Sequence, residues 1–250
     1  MKLASSFPLV VAAAVSLTLT ACGDDKPSGS SSPSSTPSVT ATPTESTPTD
    51  QPTETGPVKR TKAELTKALL ELKDLPSGFT NEESDPADEG STPFSAPTSK
   101  CKTLVKYLNA DEAPNSKASA QRSFAGGQEG PYIDFSLDSM STSKAVGKLI
   151  TSYREAVASC KKVTMRAEGQ GSTPMEVVEV SAPKFGDDPF AFKLTGTSGS
   201  KEGLEFAAAV TGVGDVILSV GILAGQPGEL DGATEAAVEK ARIILIKPGG

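Results

Sequence analysis

The stretch that decides the fold is Leu204-Glu205-Phe206-Ala207-Ala208-Ala209-Val210-Thr211-Gly212-Val213-Gly214-Asp215-Val216-Ile217-Leu218-Ser219-Val220-Gly221-Ile222-Leu223. Its first half places Leu204, Phe206, Ala208 and Val210 on one face, the period-two pattern of a strand. Gly212-Val213-Gly214-Asp215 interrupts the run with turn residues, and residues 216–223 resume it as a second strand. Two strands joined by so short a turn pair antiparallel. The same reading gives strands at 175–180 and 190–195 just upstream. Earlier still, 118–125 and 132–138 form a pair joined by Gly126-Gly127-Gln128-Glu129-Gly130-Pro131, with Ile133, Phe135 and Leu137 on one face.

Helical periods surround these strands. Thr61-Lys62-Ala63-Glu64 is a capping box, with Leu65, Leu69 and Leu72 as the stripe behind it and Leu75-Pro76-Ser77-Gly78-Phe79 as its stop. Residues 80–99, rich in Pro, Asp, Glu and Ser, read as a long surface loop. A short helix follows through Cys101, Leu104, Val105 and Leu108. Ser141 or Thr142 opens the strongest helix, with Val146, Leu149, Ile150, Tyr153, Val157 and Cys160 along one stripe. Asp231 is the expected cap of a last helix that turns Ala237, Val238, Ala241, Ile244 and Leu245 inward. Strands grouped in blocks between helices predict an α+β domain over 58–250: an antiparallel sheet of about five to seven strands flanked by helices.

Before this body come two segments of different composition. Residues 1–21 carry a positive start at Lys2 and an apolar run from Phe7 to Leu19, the length of a signal peptide and too short for a lasting membrane span. The run ends in Leu19-Thr20-Ala21-Cys22, which resembles the lipobox of bacterial lipoprotein precursors. That resemblance implies lipidation of Cys22 on its thiol, cleavage just before it, and acylation of the new amino group, with palmitate as the expected acid. Two or more chains are what stable anchoring requires. Residues 22–57 then read as a tether. From Gly23 to Pro57 there are eight Ser, eight Thr and seven Pro, with Val39 and Ala41 the sole apolar residues, so chain entropy is expected to keep it disordered.

The exclusions are sharper than the assignments. The chain has no His, which removes a Ser-His-Asp triad, a Cys-His dyad and His metal ligation together. A formal charge of -7 argues against a duplex nucleic-acid partner. Ser141/Lys144, Ser159/Lys162 and Ser181/Lys184 match Ser-x-x-Lys, but the companion Ser-Asp-Asn and Lys-Thr-Gly motifs of that chemistry are missing. Gly212-x-Gly214 lacks the third glycine of a dinucleotide loop and precedes a strand. Asp187-Asp188 lacks the alternating oxygen ligands of a calcium loop. Outside the membrane, Cys101 and Cys160 are expected to form one disulfide, the alternative being two separate buried thiols.

The body resembles the extracellular sensor domain of mycobacterial PknH-type serine/threonine kinases across residues 62–246. The resemblance rests on Leu69-Leu70 leading into Leu75-Pro76-Ser77-Gly78-Phe79, on Cys101, on Ala156-Val157-Ala158-Ser159-Cys160, and on Phe185-Gly186-Asp187-Asp188. It implies a helix-flanked antiparallel sheet with a ligand cleft. Kinase-attached members tend to carry two disulfides, whereas this body can form one. The expectation is a non-enzymatic, sensor-like ligand-binding lipoprotein on the extracytoplasmic face of the cell membrane, with no cofactor, metal or catalytic residues. Its partners would be the membrane through Cys22 and a small-molecule or cell-wall ligand. The alternative is a structural envelope lipoprotein that contacts the wall or another membrane protein.

Overall fold

The computed structural model describes residues 57–82, 93–127, 130–167 and 171–246. The expected signal peptide, the anchor Cys22 and the tether up to residue 56 lie outside the described residues. Where it begins, the sequence-level capping box is present: Thr61 Oγ1 accepts from Glu64 N and the Glu64 carboxylate accepts from Thr61 N, starting α1 (Lys62–Ala68). The chain then runs through β1 (Thr80–Glu82), β2 (Phe94–Ser95), α2 (Lys102–Leu108), β3 (Ala118–Ala125), β4 (Tyr132–Ser139), α3 (Ser143–Ser159), β5 (Lys162–Ala167), β6 (Gly171–Val180), β7 (Asp187–Gly196), β8 (Glu205–Val213), β9 (Val216–Leu223) and α4 (Glu229–Leu245). No helix among them is long and apolar enough to cross a membrane.

All strands join one antiparallel sheet in the order β1-β3-β4-β9-β8-β7-β6-β5-β2. After the β3–β4 hairpin, α3 carries the chain to the far side and the meander β5 to β9 walks back to β4. The 17 residues of α3 give about 25 Å of helix at 1.5 Å per residue. Five inter-strand gaps separate β4 from β5, about 24 Å at 4.8 Å each. The helix is as long as the distance it bridges.

The decisive hairpin is buried on both faces, which explains its nearly continuous apolar run. One face gives Leu218, Val220 and Ile222 to a core with Phe124, Phe135 and Leu137, under α1 and α4. The other gives Val210 and Ile217 to a core with Phe190, Phe192 and Leu194, under α3. Its ladder runs to the Val213–Val216 pair, so the turn is only Gly214-Asp215 and not the four residues expected.

The nine strands among the described residues exceed the five to seven expected. The additions are β1 and β2, inside what reads as a loop, and β5. β1 is three exposed polar residues and β2 only two, so both are strands through pairing with β3 and β5, not through any pattern of their own. Asp231 is not the final cap: Gly228, at φ +87°, holds that position and Asp231 sits in the first turn. The Glu229 carboxylate reaches back to Gln226 N at 2.7 Å, which starts the helix earlier. Ile244, expected inward, is exposed, as is Leu72.

Gly186 is dictated both by contact and by backbone conformation. Gly186 has φ +82°, and a Cβ there would lie 2.1 Å from Thr211 Oγ1. Thr211 Oγ1 donates into the carbonyls of Phe185 (3.0 Å) and Asp187 (3.1 Å), seaming the turn before β7 onto β8.

Candidate functional site

β4 alternates. Ile133, Phe135 and Leu137 face the α1–α4 core, so Asp134, Ser136 and Asp138 must face the α3 side. Register sets their neighbours: Ser123, Gln121 and Ser119 on β3, and Gly221, Ser219 and Ile217 on β9. Beyond Gly221 lies Ala208 of β8. On the β6–β8 side this face is packed under α3. Over Gln121 and Ser123 of β3, Asp134 and Ser136 of β4, and Ser219 and Gly221 of β9 it is open, leaving a cleft of about 510 Å³ whose wall is Tyr107 to Ala113 together with Tyr153.

The wall is held from several directions. Tyr107 and Tyr153 meet at 4.4 Å between ring centroids, tilted by 44°. Asn109 clamps the Phe94 backbone, accepting from its N–H at 3.0 Å and donating to its carbonyl at 2.7 Å. The Cys101–Cys160 disulfide, with 4.7 Å between Cα atoms, ties the start of α2 to the end of α3. Phe206 lies against the floor because Gly221 has no side chain; a Cβ there would be 3.1 Å from the ring.

The two floor acids differ. Asp138 is 2% exposed and accepts from Ala113 N at 3.0 Å and Ser136 Oγ at 3.3 Å. Burial pushes its carboxyl above the ordinary value, and these bonds, with one from Ser119, pull the other way. Asp134 accepts from Ser123 Oγ at 2.5 Å through one oxygen, and its other oxygen has no partner among the described residues. Asp134 is solvent-exposed, and the protein packed around it still raises its carboxyl, against the pull of the Ser123 bond. Burial is also the main cause that raises the Tyr153 phenol, followed by the charge of Asp138.

Other sequence candidates are not brought together with this cleft. Lys144, Lys162 and Lys184 are exposed, and the Ser-x-x-Lys pairs sit on three separate segments. Asp188 pairs with Arg154 at 3.1 Å, and Asp187 accepts from Gly214 N at 3.3 Å, so both acids brace turns. No group of three or more metal-ligating side chains occurs among the described residues. A hollow of about 580 Å³ at the β1–β3 edge is lined by Glu71, Lys73 and Arg122, but Glu71 is paired with Lys73 at 2.6 Å and Arg122 donates to Leu70 O at 2.6 Å.

The floor acids escaped the sequence reading, which followed the apolar face of 132–138 and left its polar face unassigned. Their signal was there: Asp, Ser and Asp at alternate positions of a strand. That signal gains meaning only once β4 is known to be central.

Neither a protein-family model nor a curated protein sequence matches the chain. Among solved structures, the extracellular domain of PknH from Mycobacterium tuberculosis superposes with a TM-score of 0.57 at 14% identity, over 75% of this chain and 98% of that one. The body therefore shares the fold of that extracellular domain, as its short motifs imply.

Proposed function

We propose that this protein is a non-enzymatic extracytoplasmic binding module, anchored through lipid on Cys22, that receives its ligand in the cleft above β3, β4 and β9. One observation carries the reading: a sheet face otherwise packed under a helix is left bare over a patch of polar side chains, with aromatic residues at its border. Ligand sites have this make-up, apolar walls with few convergent polar groups. The shared fold with a kinase extracellular domain supports an extracytoplasmic role. Asp134 and Asp138 lie four residues apart on one strand, about 14 Å along it, well beyond the spacing of a glycosidase carboxyl pair. Their placement suits contact with an extended ligand better than shared chemistry at one bond.

The cleft reading is tested by thermal shift and NMR titration of the folded protein with cell-wall fragments and small metabolites. Saturable shifts that disappear in Phe206→Ala support it, and silence across all classes overturns it. Anchoring is tested separately: Cys22→Ser is expected to move the protein from the membrane fraction to the medium.

A second reading, docking to another envelope protein, draws on the exposed Ile243, Ile244 and Ile246 at the end of α4. In-cell crosslinking from that surface to one abundant partner, lost on Ile243→Asp, would favour it.

A further inference from the structure

The charge of the cleft is one-sided. Asp111, Glu112, Asp134 and Asp138 line it, and no Lys or Arg among the described residues does. Basic side chains on the neighbouring strands are committed elsewhere: Arg122 donates to Leu70 O on the opposite face, and Lys193 pairs with Glu205 at 2.6 Å. Asp138 is already engaged by backbone and hydroxyl donors, but Asp134 offers an oxygen with no protein partner among the described residues. Beside it, Phe206 lies against Gly221, whose missing side chain leaves the floor low at this point. Tyr107 and Tyr153 present ring surface from the wall.

From this arrangement we infer that the cleft takes an organic cation, a ligand with a primary ammonium head paired to Asp134 and an apolar body laid along Phe206. The inference rests on the cleft being the ligand site and adds the chemical class. An anionic head would meet four carboxyl groups with no counter-charge. A neutral head would leave the open Asp134 oxygen without the donor that an ammonium supplies. Cations within about 6 Å of an aromatic face gain further attraction, and two tyrosines and Phe206 border the space.

A matched series on one skeleton tests this: hexylammonium, 1,6-diaminohexane, hexanol and hexanoate, titrated into the full-length chain with NMR shifts of the cleft residues as the readout. The two cations are expected to bind at least tenfold more tightly than hexanol, and hexanoate not to shift the spectrum. Asp134→Asn, which keeps the shape and a hydrogen-bonding side chain for Ser123, is expected to abolish that tenfold preference while leaving hexanol unchanged. Glu112→Gln, which removes a wall carboxylate and leaves the Asp134 oxygen in place, is expected to have a smaller effect. Hexanol or hexanoate binding best, with loss in Phe206→Ala, overturns the cation and leaves the cleft reading standing. Equal binding of hexylammonium by folded Asp134→Asn overturns the assignment of its head. Silence of both cations overturns the inference, and the broader screen with wall fragments then decides the cleft itself.

Discussion

Arg60 and Asp215 are 155 residues apart in sequence and joined as a near-buried pair: Arg60 Nε lies 2.9 Å from both carboxylate oxygens, and Nη2 lies 2.5 Å from Oδ1. Ser139 Oγ donates to the same carboxylate at 3.3 Å, and the Asp215 carbonyl accepts from Met140 N at 2.8 Å. The contact fastens the segment before α1 to the β8–β9 turn and to the end of β4. Fork geometry suits guanidinium and carboxylate, which a lysine would not reproduce.

Arg60→Ala leaves Asp215, 6% exposed, without its cation. The expected loss is about 2–3 kcal/mol, somewhat below that for a fully buried pair because Arg60 keeps 14% exposure. Chemical denaturation measures it, and adding Asp215→Asn to Arg60→Ala should recover part of the loss. A loss under about 0.5 kcal/mol would mean the pair behaves as a surface ion pair.

The Cys101–Cys160 bond closes a loop with a sequence separation of 59, so Cys101→Ser with Cys160→Ser is expected to lower stability by up to about 4 kcal/mol in the chain-entropy treatment. The protein should also melt earlier with reductant than without. Because the bond ties α2 to α3, hydrogen exchange is expected to rise first at residues 102–113, the wall of the cleft. Protection unchanged there would mean that packing alone holds the wall.

Asp138 predicts a direction with pH. Its carboxyl titrates above the ordinary value in the folded protein, so between the ordinary and raised values the folded state holds the proton more tightly than the unfolded state. Its contribution to stability is therefore greatest at low pH and is lost as pH rises through that window. Asp138→Asn keeps an oxygen for Ala113 N and carries no charge. The variant should be the more stable protein at pH 7, with the higher Tm. The gap should close toward pH 3. Melting curves across that range decide, and a variant less stable at every pH would show that the carboxylate's hydrogen bonds outweigh its burial.

Gly186→Ala places a methyl group on Thr211 in a backbone region that L residues rarely adopt. The expected loss is about 2–4 kcal/mol, of which about 1–2 is backbone strain. Thr211→Ala in the same chain should restore part of the steric share and none of the strain. Equal stability of single and double variants would show that the contact with Thr211 is not the cause.

How much of this was legible depended on whether a residue's meaning is local. Thr61 and Glu64 cap a helix through atoms three residues apart, and the cap is present as read. Val146, Leu149, Ile150 and Val157 describe a stripe by period alone, and all are buried. Strands β1 and β2 read as loop because Thr80-Asn81-Glu82 has no apolar face and Phe94-Ser95 no length; partners 45 and 71 residues away make them strands. The same limit hid the site. Asp134 and Asp138 on a solvent-facing strand would be ordinary surface acids. They become a cleft floor because β9, some 80 residues later, pairs beside β4 and brings Gly221 level with Asp134 and Ile217 level with Asp138. Tyr153 and Phe206, read as core from their spacing, are half-buried and serve as the border between core and cleft.

The strand order also fixes when the site comes into being. Its floor has two halves, β3 with β4 and β8 with β9, each a hairpin of local contacts that can form early. Only the β4–β9 ladder joins them, linking Ser139 to Val216 and Tyr132 to Leu223 across most of the intervening chain. Long-range pairings of this kind dominate folding times. A chain threaded through a translocation pore from its amino end would hold the Asp134 side without the Gly221 side until β9 had crossed. The cleft floor would thus be completed only by the last strand, and a chain cut short before β9 would carry half a floor and two strands, β4 and β8, each with an open edge.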